Sequence, residues 1–227
     1  MENINPNWVD KIMLFPGVWV YKNVFKKELN IIKRVENYLN ENSSKHVWQE
    51  ASVGYNQKIQ EYRDCHDFKI GEIKNPKNAD QMILGKIWQD LYDVQYPPVA
   101  EYCARHNIKM EYWEVMNFIK YGTNQHFKEH GDDGYSYRAT VSLVGYPNSD
   151  YVGGGLYFPK LDLKIQPEAG DLYIFPSTYL FSHVALPVES GIKYSIVTML
   201  DYNDHAHNNE FMTMREKWLN NEKHNSI

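Results

Sequence analysis

The second half of this chain consists mainly of short apolar runs separated by glycine, proline and asparagine. The runs cover residues 111–121, 139–144, 156–158, 163–165, 171–175 and 194–200. Most are too short for a typical helix, and short strand-like runs with frequent turn residues are typical of a β-sandwich or barrel. The region from about residue 109 to about residue 202 is therefore predicted to form a core of β-strands.

The first half of the chain carries helical patterns instead. Apolar residues recur at helical spacing over residues 25–39, with lysine and arginine largely on the other side. A second helix is predicted to begin with Asp80 as its cap, and the Pro97-Pro98 pair is predicted to break it or to start a new helix before residues 99–106. In the polar tail, a short helix is predicted near residues 211–219.

Together these patterns predict one domain over residues 1–227, mainly β with flanking α-helices. Helical support is expected over about residues 20–108, and the β core over about residues 109–202. A chain of 227 residues is long enough to bury a sizeable core in one domain.

The composition excludes several functional classes. Hydrophobic residues make up 43% of the chain and charged residues 23%, as in ordinary globular proteins. A net charge of -5 does not favour nucleic acid as a partner. No apolar run approaches a membrane span, and the N-terminal residues do not resemble a signal peptide. Cys65 and Cys103 are expected to be free thiols in a reducing compartment. We therefore expect a cytoplasmic protein that does not enter a membrane.

Two histidines and one carboxylate form a candidate metal site. His130 and Asp132 are separated by one residue, so both side chains project from the same face if the segment is extended. His183 follows after a further series of strand-like runs, and a folded-over sheet can bring it back beside the first pair. Such a set leaves open coordination positions and is the facial triad expected for non-haem Fe(II) enzymes that activate oxygen.

Other side chains near this pattern are weaker candidates for the metal site. His126 lies four residues before His130, a spacing that suits a helix better than a strand. Asp133 is expected to support the site from outside or to face solvent. His205 and His207 share strand spacing, but the polar tail around them favours a surface position.

Lys193 is a candidate for binding an anion. Residues 187–191 read as a turn between the segment with His183 and the segment with Lys193. On a strand, Lys193 shares its face with Ser195 and Val197. A lysine that points into a barrel is costly without an anion, and the nearby hydroxyl would help to hold a carboxylate. The alternative is a solvated lysine at the edge of a sheet.

Blocks of this sequence resemble those of the prolyl 4-hydroxylase-like 2-oxoglutarate/Fe(II) dioxygenases. In the block YGTNQHFKEHGD at residues 121–132, the family typically has the tyrosine, the glutamine and the aromatic residue found here as Tyr121, Gln125 and Phe127. The other blocks are YPN at 146–148, GGGLYFP at 153–159 and PEAGDLYIFPST at 167–178, followed by His183 and Lys193. The resemblance covers about residues 110–200.

The resemblance implies a double-stranded β-helix, or jelly roll, as the catalytic core. It also implies that three residues bind Fe(II): His130, Asp132 and His183. Lys193 would pair with the distal carboxylate of the cosubstrate 2-oxoglutarate, and three further residues would line the cosubstrate pocket: Tyr121, Ser142 and Tyr146. Oxygen would be the second cosubstrate, and ascorbate is a candidate reductant.

The chain departs from the family pattern at two positions that bear on function. Asn124 replaces the glycine that usually precedes the glutamine, which is expected to alter the loop more than the chemistry. Met199 stands where many peptidyl-proline hydroxylases have a tryptophan near the substrate. This second departure weakens the expectation of proline as the substrate and leaves the oxygen chemistry unaffected.

The leading functional hypothesis is hydroxylation of a protein side chain, with peptidyl proline first among substrates. The alternatives within the same chemistry are another residue, a free amino acid or other small molecule, and a nucleobase. Two further alternatives are a jelly-roll module that binds metal without turnover and a zinc enzyme with the same three ligands. The sequence leaves open the role of Arg138, and whether residues 55–68 close over the substrate as a lid.

Overall fold

The structure, a computed structural model, describes residues 7–53, 57–134 and 138–203. Within these ranges, the strands are, in chain order, β1 (Lys11–Phe15), β2 (Val18–Tyr21), β3 (Gln49–Glu50), β4 (Arg63–Asp64), β5 (His66–Ile70), β6 (Tyr112–Trp113), β7 (Met116–Tyr121), β8 (His126–His130), β9 (Val141–Tyr146), β10 (Tyr151–Gly153), β11 (Leu156–Phe158), β12 (Leu163–Ile165), β13 (Asp171–Pro176), β14 (His183–Ala185), β15 (Val188–Gly191) and β16 (Lys193–Asp201). The two α-helices are α1 (Ile31–Glu41) and α2 (Ala79–His106).

The strands form a larger and a smaller antiparallel sheet. The larger sheet has the order β1-β2-β13-β9-β16-β7-β5-β3, with β6 also paired to β16, and the smaller has the order β12-β11-β14-β8-β4. A separate pair joins β10 to β15. Along the chain, β7, β8 and β9 alternate between the sheets, and so do β13, β14 and β16. This alternation is the topology of a jelly roll, so the predicted mainly-β fold is confirmed.

The larger sheet buries both of its faces. Side chains from its outer face pack against α1 and α2 in one apolar cluster that includes Phe118, Leu143 and Ile196. Side chains from its inner face, among them Val144 and Phe175, pack against the smaller sheet. Because alternate residues of a strand point to opposite faces, β7, β9 and β16 each contribute to the outer core and to the interior between the sheets.

Helix α1 begins later than the sequence pattern predicts. A short 3-10 turn covers Lys27–Leu29, and Asn30 then adopts the left-handed conformation with a φ of 49°. The regular helix starts only at Ile31, and its buried residues include Val35 and Leu39. The predicted helix over residues 25–39 is therefore present but displaced, because the turn at Asn30 separates its first residues from the rest.

Helix α2 corrects two predictions. The Asn78 side chain, rather than Asp80, caps the helix by accepting a hydrogen bond from the Gln81 backbone N–H at 2.9 Å. The helix also continues through Pro97 and Pro98 instead of ending there. Pro98 removes the donor that would normally bond the Val94 carbonyl, and the Asn7 side-chain amide donates to that carbonyl at 2.7 Å instead.

The N-terminal half contributes strands as well as helices. Strands β1 and β2 extend the larger sheet beyond β13, and β5 lies beside β7 in the same sheet. Strands β1 and β2 were not predicted from the sequence, although the run VWVY at β2 is apolar and partly β-branched. In the described residues, no helix combines the length and apolar character that a membrane crossing needs.

Candidate metal centre and the adjoining lysine pocket

His130 and His183 lie opposite each other on neighbouring strands of the smaller sheet. Strand β14 pairs with β8 so that His183 faces His130, and the ring centroids are 4.4 Å apart. Asp132 follows β8, with Oδ1 at 3.7 Å from His130 Nε2 and Oδ2 at 3.8 Å from His183 Nε2. One ligand atom from each residue lies within 4.8 Å of the other two. We call this group of three residues the metal centre.

Backbone contacts fix the orientation of both imidazole rings. The Nδ1 atoms of His130 and His183 lie 2.8 Å and 3.2 Å from the carbonyl oxygens of Lys128 and Phe181, respectively. A carbonyl only accepts, so each Nδ1 carries the proton and each Nε2 offers a lone pair. Burial, together with the neighbouring His183, lowers the pKa of His130 to about 3, which keeps its ring neutral. Both rings are therefore prepared as metal ligands.

The Asp132 carboxylate is also held in place. The Ser142 hydroxyl donates to Asp132 Oδ2 at 2.6 Å, and Ser142 Oγ lies 2.7 Å from Ser177 Oγ. Two neutral imidazole nitrogens and a carboxylate oxygen, all oriented by bonds within the protein, fit a divalent first-row metal ion such as Fe(II). The structure thus places Ser142, predicted to line the cosubstrate pocket, against a predicted metal ligand.

Lys193 is buried without a counter-charge. Its side chain is on the inner face of β16, and the residue is 1% exposed. Its Nζ donates to the Gly154 carbonyl at 2.7 Å and lies 4.8 Å and 5.4 Å from the ring centroids of Tyr121 and Tyr146. In the described part of the chain, no carboxylate is paired with it. Burial lowers the pKa of Lys193 to about 7, because the ammonium loses its hydration, an effect that the nearby Cys65 only partly offsets.

Tyr151, which was not predicted as a site residue, packs beside Lys193. A Cβ atom built on Gly154 would lie 3.0 Å from Tyr151 Cε2 and 3.1 Å from Lys193 Cδ, so both side chains pack at the same glycine. The Tyr151 hydroxyl oxygen is buried and has no hydrogen-bond partner. We call Tyr121, Tyr146, Tyr151, Gly154 and Lys193 the lysine pocket. In the sequence, the glycine at position 154 was the available signal for this close packing. In the structure its φ is +62°.

The metal centre and the lysine pocket are connected by the inner face of β9. Ser142, which holds Asp132, and Tyr146, which lies beside Lys193, point to the same side of this strand because they are four residues apart. The strand advances by about 13 Å over this distance. Both sites therefore face the same interior between the two sheets.

A second set of polar side chains lies on β4, β5 and β7. The guanidinium of Arg63 lies 4.7 Å from the centroid of Phe127, whose ring stacks on His130 at 3.5 Å. Arg63 Nη2 is 3.7 Å from Asp67 Oδ2, and the Asn117 amide donates to the same oxygen at 3.4 Å. The donor Arg63 Nε and the acceptor Asn117 Oδ1 are buried without a partner. They offer one donor and one acceptor to a polar ligand.

The remaining candidates lie apart from the metal centre. The His126 ring nitrogens face the carbonyls of Asn124 and Glu61 instead. The Asp133 carboxylate accepts from the Ala139 backbone N–H at 3.2 Å, and its Oδ1 is 3.4 Å from Arg138 Nε, so this aspartate organises a loop. His205, His207 and the helix predicted near residues 211–219 lie outside the described residues.

The structure places the two departures from the family pattern, Asn124 and Met199, and most of the segment 55–68. Asn124 has a φ of 68°, a left-handed conformation that asparagine tolerates better than most residues. The Met199 sulfur lies 3.9 Å from Ser142 Oγ, so this side chain contacts the serine that holds Asp132. Of the segment 55–68, residues 63–64 and 66–68 are strand residues paired with β8 and β7, and residues 55–56 are not described.

Comparison with known proteins agrees with this arrangement. A sequence model of the 2OG-Fe(II) oxygenase superfamily matches residues 116–200, a range that contains the metal centre and Lys193. A protein from Acanthamoeba polyphaga mimivirus, named "Putative prolyl 4-hydroxylase", is 26% identical over 145 residues. That match covers 55% of this chain and 58% of the viral protein, so it spans less than two thirds of the relative's length.

Solved structures of prolyl hydroxylases share the fold. A prolyl hydroxylase from Trichoplax adhaerens, in complex with a hypoxia-inducible factor peptide fragment, has a TM-score of 0.65 at 17% identity, covering 81% of this chain and 83% of that one. A prolyl-4-hydroxylase from Pseudomonas putida has a TM-score of 0.58 at 15% identity, covering 82% and 93%. The 2OG complex of a viral collagen prolyl hydroxylase from Paramecium bursaria Chlorella virus-1 has a TM-score of 0.55 at 17% identity, covering 84% and 94%. The chain therefore resembles the 2OG-Fe(II) oxygenase superfamily over residues 116–200 and shares the fold of solved prolyl hydroxylases.

Proposed function

We propose that this protein is an Fe(II)- and 2-oxoglutarate-dependent dioxygenase that hydroxylates a protein side chain, with peptidyl proline as the leading substrate. The observation that supports this most strongly is that one interior combines a metal centre with a buried lysine that lacks a counter-charge. A metal site alone is compatible with several chemistries. The lysine pocket adds a place for a carboxylate on the same inner face of the larger sheet.

In this proposal, each residue has a separate task. His130 and His183 bind the metal through Nε2, and Asp132 binds it through a carboxylate oxygen. Fe(II) held there would supply the redox chemistry by which O2, 2-oxoglutarate and a substrate C–H bond are converted to succinate, carbon dioxide and a hydroxylated side chain. Lys193 binds the distal carboxylate of 2-oxoglutarate by a charge-assisted hydrogen bond. The rings of Tyr121 and Tyr146 flank its ammonium and keep water away from this contact.

A peptide substrate is supported by chemistry near the metal centre and by the relatives. Arg63 Nε and Asn117 Oδ1 offer one donor and one acceptor, which match the carbonyl and the N–H of a peptide backbone. The Trichoplax enzyme was solved with a peptide fragment, and the Chlorella virus enzyme is named for collagen. We extend these substrates to the present chain as a class, a proline-containing peptide.

The first test is spectroscopic and does not require the substrate. Fe(II) and then 2-oxoglutarate are added anaerobically to the purified protein, and a visible metal-to-ligand charge-transfer band is expected only when both are present. His130→Ala is expected to abolish the band and Lys193→Ala to weaken it. No band from folded protein with bound metal would contradict the proposed cosubstrate and favour a zinc enzyme or a module without turnover.

The second test concerns the substrate. With oxygen admitted, proline-containing peptides are expected to stimulate succinate formation and to gain one oxygen atom by mass spectrometry. Matched peptides with alanine in place of proline serve as controls. Equal stimulation by both peptides would refute proline, and stimulation only by free amino acids or nucleobases would refute a peptide substrate.

A further inference from the structure

The metal ligand Asp132 is connected to a second serine that does not touch it. Ser142 Oγ lies 2.6 Å from Asp132 Oδ2 and 2.7 Å from Ser177 Oγ. Ser142 is fully buried, and Ser177 is 2% exposed. Asp132, Ser142 and Ser177 therefore form a hydrogen-bonded row in which both serines are buried, and its far end is Ser177.

The direction of the hydrogen bonds in this row follows from counting protons. A serine hydroxyl has one hydrogen, and an ionised carboxylate only accepts. Ser142 must use its hydrogen for Asp132 Oδ2, so the bond between the two serines requires Ser177 as the donor. Ser177 thereby satisfies Ser142 as an acceptor and strengthens its bond to the carboxylate, because successive hydrogen bonds polarise one another.

Ser177 is itself fixed by its backbone. It follows the last residue of β13, and its N–H donates to the Thr140 carbonyl at 3.0 Å. Its carbonyl accepts the N–H of Asp133, the residue next to Asp132, also at 3.0 Å. The serine therefore connects the larger sheet to the loop that carries the metal ligand, once through its backbone and once through its side chain.

From these contacts we infer that Ser177 is a positioning residue for the metal ligand Asp132 and that it acts through Ser142. The inference rests on the metal site of the proposed function. By holding Oδ2, the two serines fix the rotation of the carboxylate and leave Oδ1 toward His130. Residues that orient a metal ligand typically affect metal affinity by about tenfold to a hundredfold.

The test is a double-mutant cycle read out by metal affinity rather than by turnover. Dissociation constants for Fe(II) and Co(II) are measured anaerobically for the wild type, Ser142→Ala, Ser177→Ala and the double variant. We expect Ser177→Ala to weaken binding by about tenfold. We expect the double variant to bind no more weakly than Ser142→Ala, since Ser177 has no route to Asp132 once Ser142 is lost.

Two further variants separate this role from a general effect on folding. Ser182→Ala removes another buried serine hydroxyl, one that bonds Lys160 and Glu129 instead of a metal ligand, and is expected to leave metal affinity unchanged. Ser177→Thr keeps the hydroxyl and is expected to restore most of the affinity that alanine loses. Unfolding temperatures of the metal-free variants identify any that fail to fold.

The outcomes separate this inference from the proposed function. Wild-type affinity in Ser177→Ala, or losses that simply add in the double variant, would overturn the role of Ser177 while the metal centre stands. A wild-type protein that binds neither metal would overturn the metal centre itself. A tenfold loss that disappears when Ser142 is already alanine would establish the route through Ser142.

Discussion

The metal centre and the lysine pocket differ in how far the protein satisfies their polar groups. At the metal centre, both histidine Nδ1 atoms have carbonyl partners, and Asp132 is bonded to Ser142. In the lysine pocket, the described residues give the Lys193 ammonium one carbonyl partner and no counter-charge, and they give the Tyr151 hydroxyl no partner. The first site is organised before any ligand arrives, whereas the second lacks a group that a ligand must bring.

This difference indicates which ligand each site is built for. A metal ion needs ligands held in one orientation, because its coordination depends on the direction of their lone pairs. A carboxylate that enters a dry pocket needs donors, and the protein bears a desolvation cost at those donors while the pocket is empty. The two sites together therefore favour a metal ion at the first and a carboxylate at the second.

The largest expected effect comes from removing the lysine. Lys193→Ala is expected to weaken 2-oxoglutarate binding by about a hundredfold to several thousandfold, since breaking one side of a buried ion pair costs about 3–5 kcal/mol. Metal affinity is expected to remain unchanged, because Lys193 contacts none of the three metal ligands. Anaerobic calorimetry of the metal and then of 2-oxoglutarate measures both. Equal cosubstrate affinity in the variant and the wild type would remove the proposed role of Lys193.

The pH dependence of cosubstrate binding tests the same lysine without a mutation. Burial lowers the pKa of Lys193 to about 7 in the empty pocket, and a carboxylate binds its charged form. A bound carboxylate raises this pKa, so binding takes up a proton above pH 7 and takes up none well below it. Affinity is thus expected to be constant below pH 7 and to fall by about tenfold per pH unit above it.

A suitable control for the pH series is a 2-oxo acid that lacks the distal carboxylate. Its affinity depends on the metal centre and is expected to change little between pH 7 and pH 9. If both ligands lost affinity in parallel, the titrating group would belong to the metal centre, and the comparison between the two sites would fail at this point.

Most of the chemistry was predictable from the sequence because its residues stand in short local patterns. His130 and Asp132 are separated by one residue, but only His130 lies on a strand, because β8 ends there and Asp132 follows in a bend. The predicted turn over residues 187–191 is wrong for residues 188–191, which form β15 and pair with β10. The structure brings His130, Asp132 and His183 together, and it places Tyr121 and Tyr146 beside Lys193. Their roles as metal and cosubstrate ligands remain predictions.

The features that the sequence did not reveal depend on contacts between distant residues. Strand β8 is polar, with the sequence HFKEH, and exists through its pairing with β14 and β4. Helix α2 passes Pro98 because Asn7, far away in the chain, bonds the carbonyl that the proline leaves free. Tyr151 has no motif of its own and becomes relevant only because Gly154 brings its ring beside Lys193.

A smaller effect is expected from the tyrosine of the lysine pocket. Burial raises the pKa of the Tyr151 hydroxyl, so it keeps its proton and can donate to a carboxylate. Tyr151→Phe is expected to weaken 2-oxoglutarate binding by about tenfold, the usual scale for one hydrogen bond to a charged group. The metal-free protein is expected to lose little stability, because the hydroxyl has no partner to lose.

Tyr38→Phe is a matched control for this prediction. The Tyr38 hydroxyl is also buried without a partner, but it lies on α1, against the outer face of the larger sheet. Its removal is expected to leave cosubstrate affinity unchanged. Unchanged affinity in Tyr151→Phe as well would mean that the lysine alone binds the carboxylate and that the empty hydroxyl is a packing feature.

The smallest expected effect extends the comparison to the second set of unsatisfied polar groups. Among the described residues, no donor bonds the buried Asn117 Oδ1. Asn117 lies on the inner face of β7, four residues before Tyr121. If this acceptor binds the N–H of a peptide, Asn117→Ala is expected to raise the KM for a peptide substrate by about fivefold, because the substrate loses one neutral hydrogen bond. The affinities for metal and 2-oxoglutarate are expected to stay at wild-type values, because the amide contacts Asp67 and neither ligand site.

Steady-state kinetics with the peptide varied at saturating 2-oxoglutarate distinguish this from a cosubstrate defect. A change in the 2-oxoglutarate dissociation constant with an unchanged peptide KM would assign Asn117 to the cosubstrate end of the interior and would join the two sets of unsatisfied groups into one site.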